Sequence, residues 1–231
     1  MIREVMKICG LDCDEICAAL ADIADKGVDF TVEERCLDAK VIMTSELDRK
    51  SFDAVKSLAY NIFSEQVYSA EDRELHELAA QLLALNGKML AVAESLTGGE
   101  ICSRLTSVPG ISANFYEGVV CYNRGAKMNR LRVPKALLGA YGAVSRETAY
   151  AMVNGLVVPP VNIGLATTGL AGPQGDEGKP VGLVYIGVGA GDFITVFEKH
   201  LTGDRNRIRQ SAANLALFYL VRYLRGDILQ L

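Results

Sequence analysis

Apolar positions in the first third of the chain switch period repeatedly. Residues 2–9, 28–36 and 39–46 are short, β-rich runs bounded by glycine or acidic residues, whereas 13–26 and 49–64 carry apolar residues at helical spacing. The pattern predicts strand, helix, strand, strand, helix. In the first of these helices Ile16, Leu20 and Ile23 form one stripe, and Asp12 or Asp14 is placed to cap its start.

A polar stretch, 64–73, then leads into a helix with Leu75, Leu78, Ala79, Leu82 and Leu83 on one face, closed near Asn86-Gly87. A domain boundary is expected near residue 70, dividing the chain into 1–70 and 71–231. Beyond it the pattern predicts strand 89–94, helix 99–107, strand 115–122, helices 124–132, 134–140 and 145–157, strands 162–168, 182–189 and 193–200, and a long helix from Asp204 to about Arg225. Such alternation predicts an α/β fold, a three-layer α/β/α sandwich around a mixed sheet, preceded by a small α+β module. The last helix aligns Ile208, Ala212, Leu215, Tyr219 and Tyr223 on one face, to pack on the sheet. The first module resembles a KH-type or split ferredoxin-like unit. KH domains grip nucleic acid through a GXXG loop, but the comparable turn reads Gly10-Leu11-Asp12-Cys13, with a carboxylate where a phosphate would approach. A structural or dimerising role is expected there instead of RNA binding.

Composition narrows the chemistry. The 231 residues are half apolar, enough for a packed core, and the longest apolar stretch, Leu215 to Val221, falls far short of the roughly 20 residues that a membrane helix needs. The first ten residues lack the apolar region and cleavage site of a secretory signal, so a soluble, cytoplasmic chain is expected. Its six cysteines are read as free thiols, with Cys9, Cys13 and Cys17 as small semi-buried hydrophobes. With two histidines far apart and no CxxC, zinc or Ser-His-Asp chemistry lacks its usual groups; a hydrolytic site would need lysine, tyrosine or a carboxylate as base. Charge is uneven, −8 over residues 1–75 and +4 over 76–231, so the second part is the better host for an anionic ligand.

Four polar segments there could carry chemistry. Residues 89–100 run from a buried strand through Glu94-Ser95-Leu96-Thr97-Gly98-Gly99 into a helix, placing Ser95 at the strand's carboxyl end, with Thr97 as a possible cap and glycines that let a ligand come close. Tyr122-Asn-Arg-Gly-Ala-Lys127 follows another strand and sets a cation beside a phenol; a desolvated lysine near other positive charge becomes a usable base for a serine hydroxyl. Thr167 to Gly182 is a Gly- and Pro-rich loop between two strands. Thr202 to Arg209 opens the last helix with Asp204 as cap and with Arg205 and Arg209 on one face, suited to a phosphate or carboxylate.

AESLTGG, GVVCYNRGAK, YGAVSRE, TTGLAGPQG with GKPVG, and TGDRNRIR, in this order and spacing, resemble the CinA C-terminal domain family, whose members include nicotinamide-nucleotide amidases. The resemblance covers about residues 73–231, and residues 1–70 resemble the KH-type module that precedes that domain in full-length CinA proteins. It implies hydrolysis of the carboxamide of nicotinamide mononucleotide to nicotinate mononucleotide and ammonia, without metal or cofactor. The metal-dependent ADP-ribose pyrophosphatase domain that normally comes first is expected to be absent. By position, the resemblance implies Ser95 as nucleophile, Lys127 as general base and Tyr122 as proton relay or lysine-positioning group. Thr97, Gly98 and Gly99 would supply oxyanion contacts, Thr168, Gly169 and Gly172 would hold the nucleotide, Arg205 or Arg209 its phosphate, and Glu94 would orient the site; Ser112 is the second candidate nucleophile. The chain departs from the family pattern at Ile111 and Asn114, and at Arg124 and Gly125, where Arg124 is expected to lower the lysine pKa further. The expected partners are a small nucleotide substrate and further copies of the chain, as a homodimer or higher homo-oligomer, with neither nucleic acid nor membrane. The competing expectation is a catalytically impaired nucleotide-binding or scaffold protein of the same family.

Overall fold

A computed structural model of the chain describes residues 1–176 and 178–228; Glu177, inside the Gly-rich loop, and the last three residues lie outside them. The chain divides into two compact units, Met1–Glu74 and Leu75–Leu231.

In the first unit, strands β1 (Ile2–Cys9), β2 (Asp29–Arg35), β3 (Asp38–Ser45) and β4 (Val67–Ser69) form one antiparallel sheet in the order β2-β3-β1-β4, with helices α1 (Cys13–Leu20) and α2 (Arg49–Ile62). The resulting β-α-β-β-α-β order is, of the two plans the sequence leaves open, the split ferredoxin-like one. Its core gathers Met6, Ile8, Ile16, Val41, Met43, Phe52 and Phe63. Two expectations are corrected. The helix predicted over 13–26 is α-helical only to Leu20 and tightens into a 3₁₀ turn, Ala21–Ile23, before Gly27 at φ +78°. The strand Val67–Ser69 was not predicted, because three residues show no period and only pairing with β1 defines them. At the Gly10–Cys13 turn the Asp12 carboxylate accepts the Glu15 amide while Glu15 accepts the Asp12 amide, a capping box that fills the start of α1.

The second unit comprises α3 (Leu75–Leu85), β5 (Leu90–Glu94), α4 (Glu100–Thr106), β6 (Phe115–Val120), α5 (Arg124–Leu131), α6 (Lys135–Tyr141), α7 (Arg146–Leu156), β7 (Ile163–Gly169), β8 (Leu183–Gly189), β9 (Thr195–His200) and α8 (Arg205–Arg225). The five-stranded sheet runs β6-β5-β7-β8-β9; β6, β5 and β7 are parallel, while β8 and β9 add antiparallel at one side. Helices lie on both faces. Ala91, Ala93 and Ala166 point into a cluster with Leu131, Met152 and Val153 of α5 and α7. On the other face Gly118 meets Cys102 of α4, and α8 packs on β7 and β8 and against α3 and α4. Gly164 and Gly187 let α7 close on the sheet, since a Cβ at either would come within 3.0 Å of Val153. The result is the expected α/β/α sandwich with a mixed sheet.

Helix α8 differs from the one-faced helix the sequence suggests. Ile208, Ala212, Leu215 and Tyr219 are buried as expected and Tyr223 only partly, but Ala213, Leu217, Leu220 and Val221 are buried too, because α3 and α4 pack against the helix as well as the sheet. Among the described residues no helix is long and apolar enough to cross a membrane.

Candidate active site

The parallel strands β5, β6 and β7 end on the same side of the sheet, so the residues that follow them form one rim. From that rim β5 continues into α4 on one face while β6 continues into α5 on the other, the divergence at which ligands bind in open α/β sheets. Side-chain alternation then separates two neighbouring polar groups. Glu94 faces α4, and Ser95, one residue on, continues the row of Ala91 and Ala93 toward α5.

On that side Lys127 donates from Nζ to Ser95 Oγ at 2.9 Å and to the Cys121 carbonyl at 2.8 Å. Ser95 is 6% exposed and Lys127 1%. Asn123 starts α5 by accepting the Ala126 amide with its side chain, which fixes the helix carrying the lysine. Burial disfavours the ammonium and lowers the Lys127 pKa to about 8, with the neighbouring Cys121 acting weakly the other way. An amine with this pKa, in contact with a serine hydroxyl, can take the hydroxyl proton near neutral pH.

The other candidates take different places. Tyr122 is exposed and its hydroxyl accepts from Arg205 Nη2 at 2.7 Å, so the group that positions Lys127 is the Cys121 carbonyl and not this phenol. Arg124 reaches away to the Leu138 carbonyl in the middle of α6 and is not among the causes of the lysine's lowered pKa, which corrects the expectation placed on it. Asn114 donates to the carbonyls of Leu83 and Lys88, joining the strand β6 entry to the end of α3. Ser112 is exposed on a short 3₁₀ turn, Ile111–Ala113, and bonds no base among the described residues.

Glu94 is fully buried, and its carboxylate accepts from the amides of Gly99 (2.9 Å), Ile101 (3.3 Å) and Cys102 (2.9 Å). It is therefore the cap of α4, a place the sequence reading assigns to Thr97. Burial and then this carboxylate push the Cys102 thiol well up. Thr97 instead shares a 2.8 Å hydroxyl contact with Thr167, both fully buried. The Gly99 amide is engaged by Glu94 and the Gly98 amide by the Ser95 carbonyl at 3.1 Å, so neither is available as an oxyanion donor. The Leu96 and Thr97 amides donate to no acceptor among the described residues.

Arg209 also departs from expectation. Its Nε donates to the Leu96 carbonyl and its Nη2 to the Thr97 carbonyl, each at 2.9 Å, so it grips the serine turn rather than facing a phosphate. Gly98, at φ +64°, accommodates this guanidinium, since a Cβ there would lie 3.1 Å from Arg209 Nη2. Arg205 donates to the Gly172 carbonyl at 2.6 Å and to Tyr122, joining the Gly-rich loop to the end of β6. Thr168 donates its hydroxyl to the Ala143 carbonyl at 2.7 Å, and Gly169 is required by sheet pairing, a Cβ there falling 2.8 Å from the Leu183 carbonyl. Of the three residues expected to hold the nucleotide, only Gly172 lies beside a proposed ligand group, Arg205. Lys179, which sequence reasoning missed, ties the same loop to the carbonyls of Tyr141 (2.7 Å) and Val144 (2.6 Å); a lysine between glycine and proline in such a loop was the available signal. Among the described residues no group of three or more His, Cys, Asp or Glu side chains is arranged to hold a metal.

A model of the CinA C-terminal domain matches residues 72–224. A CinA-like protein of Fusobacterium nucleatum is 42% identical over 186 residues, covering 79% of this chain and 46% of its own length. A relative from Acetivibrio thermocellus, with a competence-damage inducible description, is 38% identical over 234 residues, covering 97% of this chain and 56% of its own. The chain thus spans about half the length of the curated relatives it matches. Among solved structures, a competence-damaged protein (CinA) superfamily member from Klebsiella pneumoniae matches with a TM-score of 0.63 at 30% identity, over 66% of this chain and 96% of that one. A competence/damage inducible protein from Agrobacterium tumefaciens matches with a TM-score of 0.61 at 35% identity, over 68% and 99%.

Proposed function

The chain belongs to the CinA C-terminal domain family, and on that premise we propose that it is a metal-independent amidohydrolase that converts nicotinamide mononucleotide to nicotinate mononucleotide and ammonia. The observation that carries this reading is the buried 2.9 Å contact between Lys127 Nζ and Ser95 Oγ, with the lysine pKa lowered to about 8. In the first half-reaction the neutral lysine takes the Ser95 proton as Oγ bonds the carboxamide carbon. The lysine then returns that proton to the departing nitrogen, and ammonia leaves an acyl-serine. In the second, Lys127 takes a proton from water, hydroxide adds to the acyl carbon, and the proton passes back to Oγ as the carboxylate is released. One amide and one water yield one carboxylate and one ammonium, the proton of the released acid passing through solvent to ammonia.

The direct test is ammonia release from nicotinamide mononucleotide by the purified chain, with and without a chelator. Turnover that survives the chelator supports the reading; turnover that the chelator stops contradicts a metal-free mechanism, and binding without turnover favours the impaired or scaffold alternative. The pH profile follows from the lysine. Below about pH 8 Lys127 is protonated and has no lone pair to accept the serine proton, so kcat/KM is expected to rise about tenfold per pH unit up to a limb near 8 and then level. A flat profile from pH 6 to 9 would exclude this lysine as the base.

Within the same reading Arg205 is the group for the substrate phosphate, since it is exposed and sits where the Gly172 loop and Tyr122 meet. Arg205→Ala is expected to raise KM for the mononucleotide about tenfold, the loss of one charge-assisted contact, and to leave the corresponding nucleoside little changed. Equal effects on the two substrates would remove Arg205 from that role.

A further inference from the structure

Arg209 makes two contacts with backbone oxygen atoms and, through them, determines where backbone nitrogen atoms point. In a trans peptide the carbonyl and the N–H are antiparallel. Among the described residues the cis peptides are Pro159–Pro160 and Gly172–Pro173, so the two peptides that follow Leu96 and Thr97 are trans. With the Leu96 carbonyl held by Arg209 Nε, the Thr97 N–H in the same plane is directed away from the guanidinium. The next peptide shows what lies on that far side: its carbonyl, on Thr97, meets Arg209 Nη2, and its N–H, on Gly98, reaches back to the Ser95 carbonyl. The side opposite Arg209 is thus the side of the Ser95 backbone carbonyl. Thr97 is held there by its buried hydroxyl contact with Thr167, and its amide has no protein acceptor among the described residues.

We propose that Arg209 is a positioning residue that builds the oxyanion site, by locking the Leu96–Thr97 peptide so that the Thr97 amide faces the oxygen of the carbonyl attacked by Ser95. The proposal rests on the serine reading above and deepens it. Arg209 forms no bond with substrate; the developing negative charge is met by one preorganised N–H, an arrangement worth about 10²-fold to 10³-fold in rate. Without Arg209 the Leu96 carbonyl has no other hydrogen-bond donor among the described residues, so the plane of this peptide is no longer pinned.

The test uses the full chain and a fluorophosphonate, whose reaction does not depend on which amide is the natural substrate. Ser95 Oγ bonds phosphorus, fluoride leaves, the serine proton passes to Lys127, and the phosphonyl oxygen develops the charge that the oxyanion donor meets. Labelling of Ser95 is expected to be about 10²-fold slower in Arg209→Ala and to recover at least about tenfold on adding guanidinium. Arg209→Lys is expected to label as slowly as the alanine variant, because an ammonium cannot hold both carbonyls in one plane. With nicotinamide mononucleotide the same variants are expected to lose kcat while KM stays within about threefold. Wild-type labelling rates in Arg209→Ala, or full rates in Arg209→Lys, overturn the proposal; the second would mean that only the positive charge matters. A rise in KM with unchanged kcat overturns it in favour of phosphate binding. If Ser95 of the unaltered chain takes no label, the serine reading fails first and this proposal with it. The lysine variant keeps the test decisive if the alanine variant is poorly folded, since full-rate labelling there overturns the proposal.

Discussion

In Ser95→Ala and in Lys127→Ala, ammonia release is expected to fall by about 10⁴-fold or more, and the double variant is expected to be scarcely slower than either single one. The reason is geometric. Among the described residues Lys127 Nζ has two hydrogen-bond partners, Ser95 Oγ and the Cys121 carbonyl, so the amine is placed to serve the proton of that hydroxyl or of a water that takes its place. Without the hydroxyl there is no nucleophile; without the amine the hydroxyl keeps its proton, and either loss halts the same step. Additive losses would mean that the two side chains act in separate steps. Ser95→Ala removes one oxygen from a rim position and leaves the Cys121 contact of the lysine in place, so this variant is expected to bind nucleotide with near-normal affinity by calorimetry. Near-normal turnover in Ser95→Ala would transfer the role to another nucleophile. Ser112 is a poor substitute, being exposed and without a bonded base among the described residues.

Much of this architecture can be read before any coordinates, because periodicity is set by which face of an element is buried. The strand Leu90–Glu94 is buried at every residue and reads as a short, uninterrupted apolar run ending in a glycine turn. Helix α7 reads equally well, since Ala149, Met152, Val153 and Leu156 fall on one face and are all buried. Less legible are features that depend on what packs against an element. Arg205 and Arg209 are alike in a sequence: two cations one helical turn apart. The seating of α8 separates them, bringing Arg209 over the Leu96–Gly98 turn and Arg205 to Gly172 and Tyr122. Cys121 acts on the lysine through its backbone carbonyl, which no side-chain pattern can advertise. The glycine turn itself misleads, because its free amides suggest an anion site while the chain supplies its own anion one residue before the nucleophile.

That anion, Glu94, leads to the largest expected change in stability. Its carboxylate is fully buried and accepts from three amides at the start of α4, those of Gly99, Ile101 and Cys102. A helix begins with amides that have no partner within the helix, and a carboxylate satisfies them while also favouring the positive end of the helix dipole. Glu94→Ala leaves these donors in a buried corner with no acceptor of the chain. Each unsatisfied donor costs about 1–3 kcal/mol, and partial entry of water reduces the sum, so a loss of about 3–5 kcal/mol is expected by urea unfolding. For a unit of this size that corresponds to a fall of roughly 10 °C in Tm. Glu94→Gln retains one acceptor oxygen but turns an NH₂ toward an N–H, and is expected to lose about half as much. The alternation that turns Glu94 toward α4 and Ser95 toward α5 bears on catalysis too. Since both Glu94 oxygens are engaged by backbone donors on the far face, this carboxylate is not the serine's base. If Glu94→Gln abolished turnover while its unfolding midpoint stayed at the wild-type value, Glu94 would have to be moved from the frame of the site into its chemistry. The expected outcome is the reverse, a lowered midpoint with the limb near pH 8 still present in whatever activity remains, because that limb belongs to Lys127.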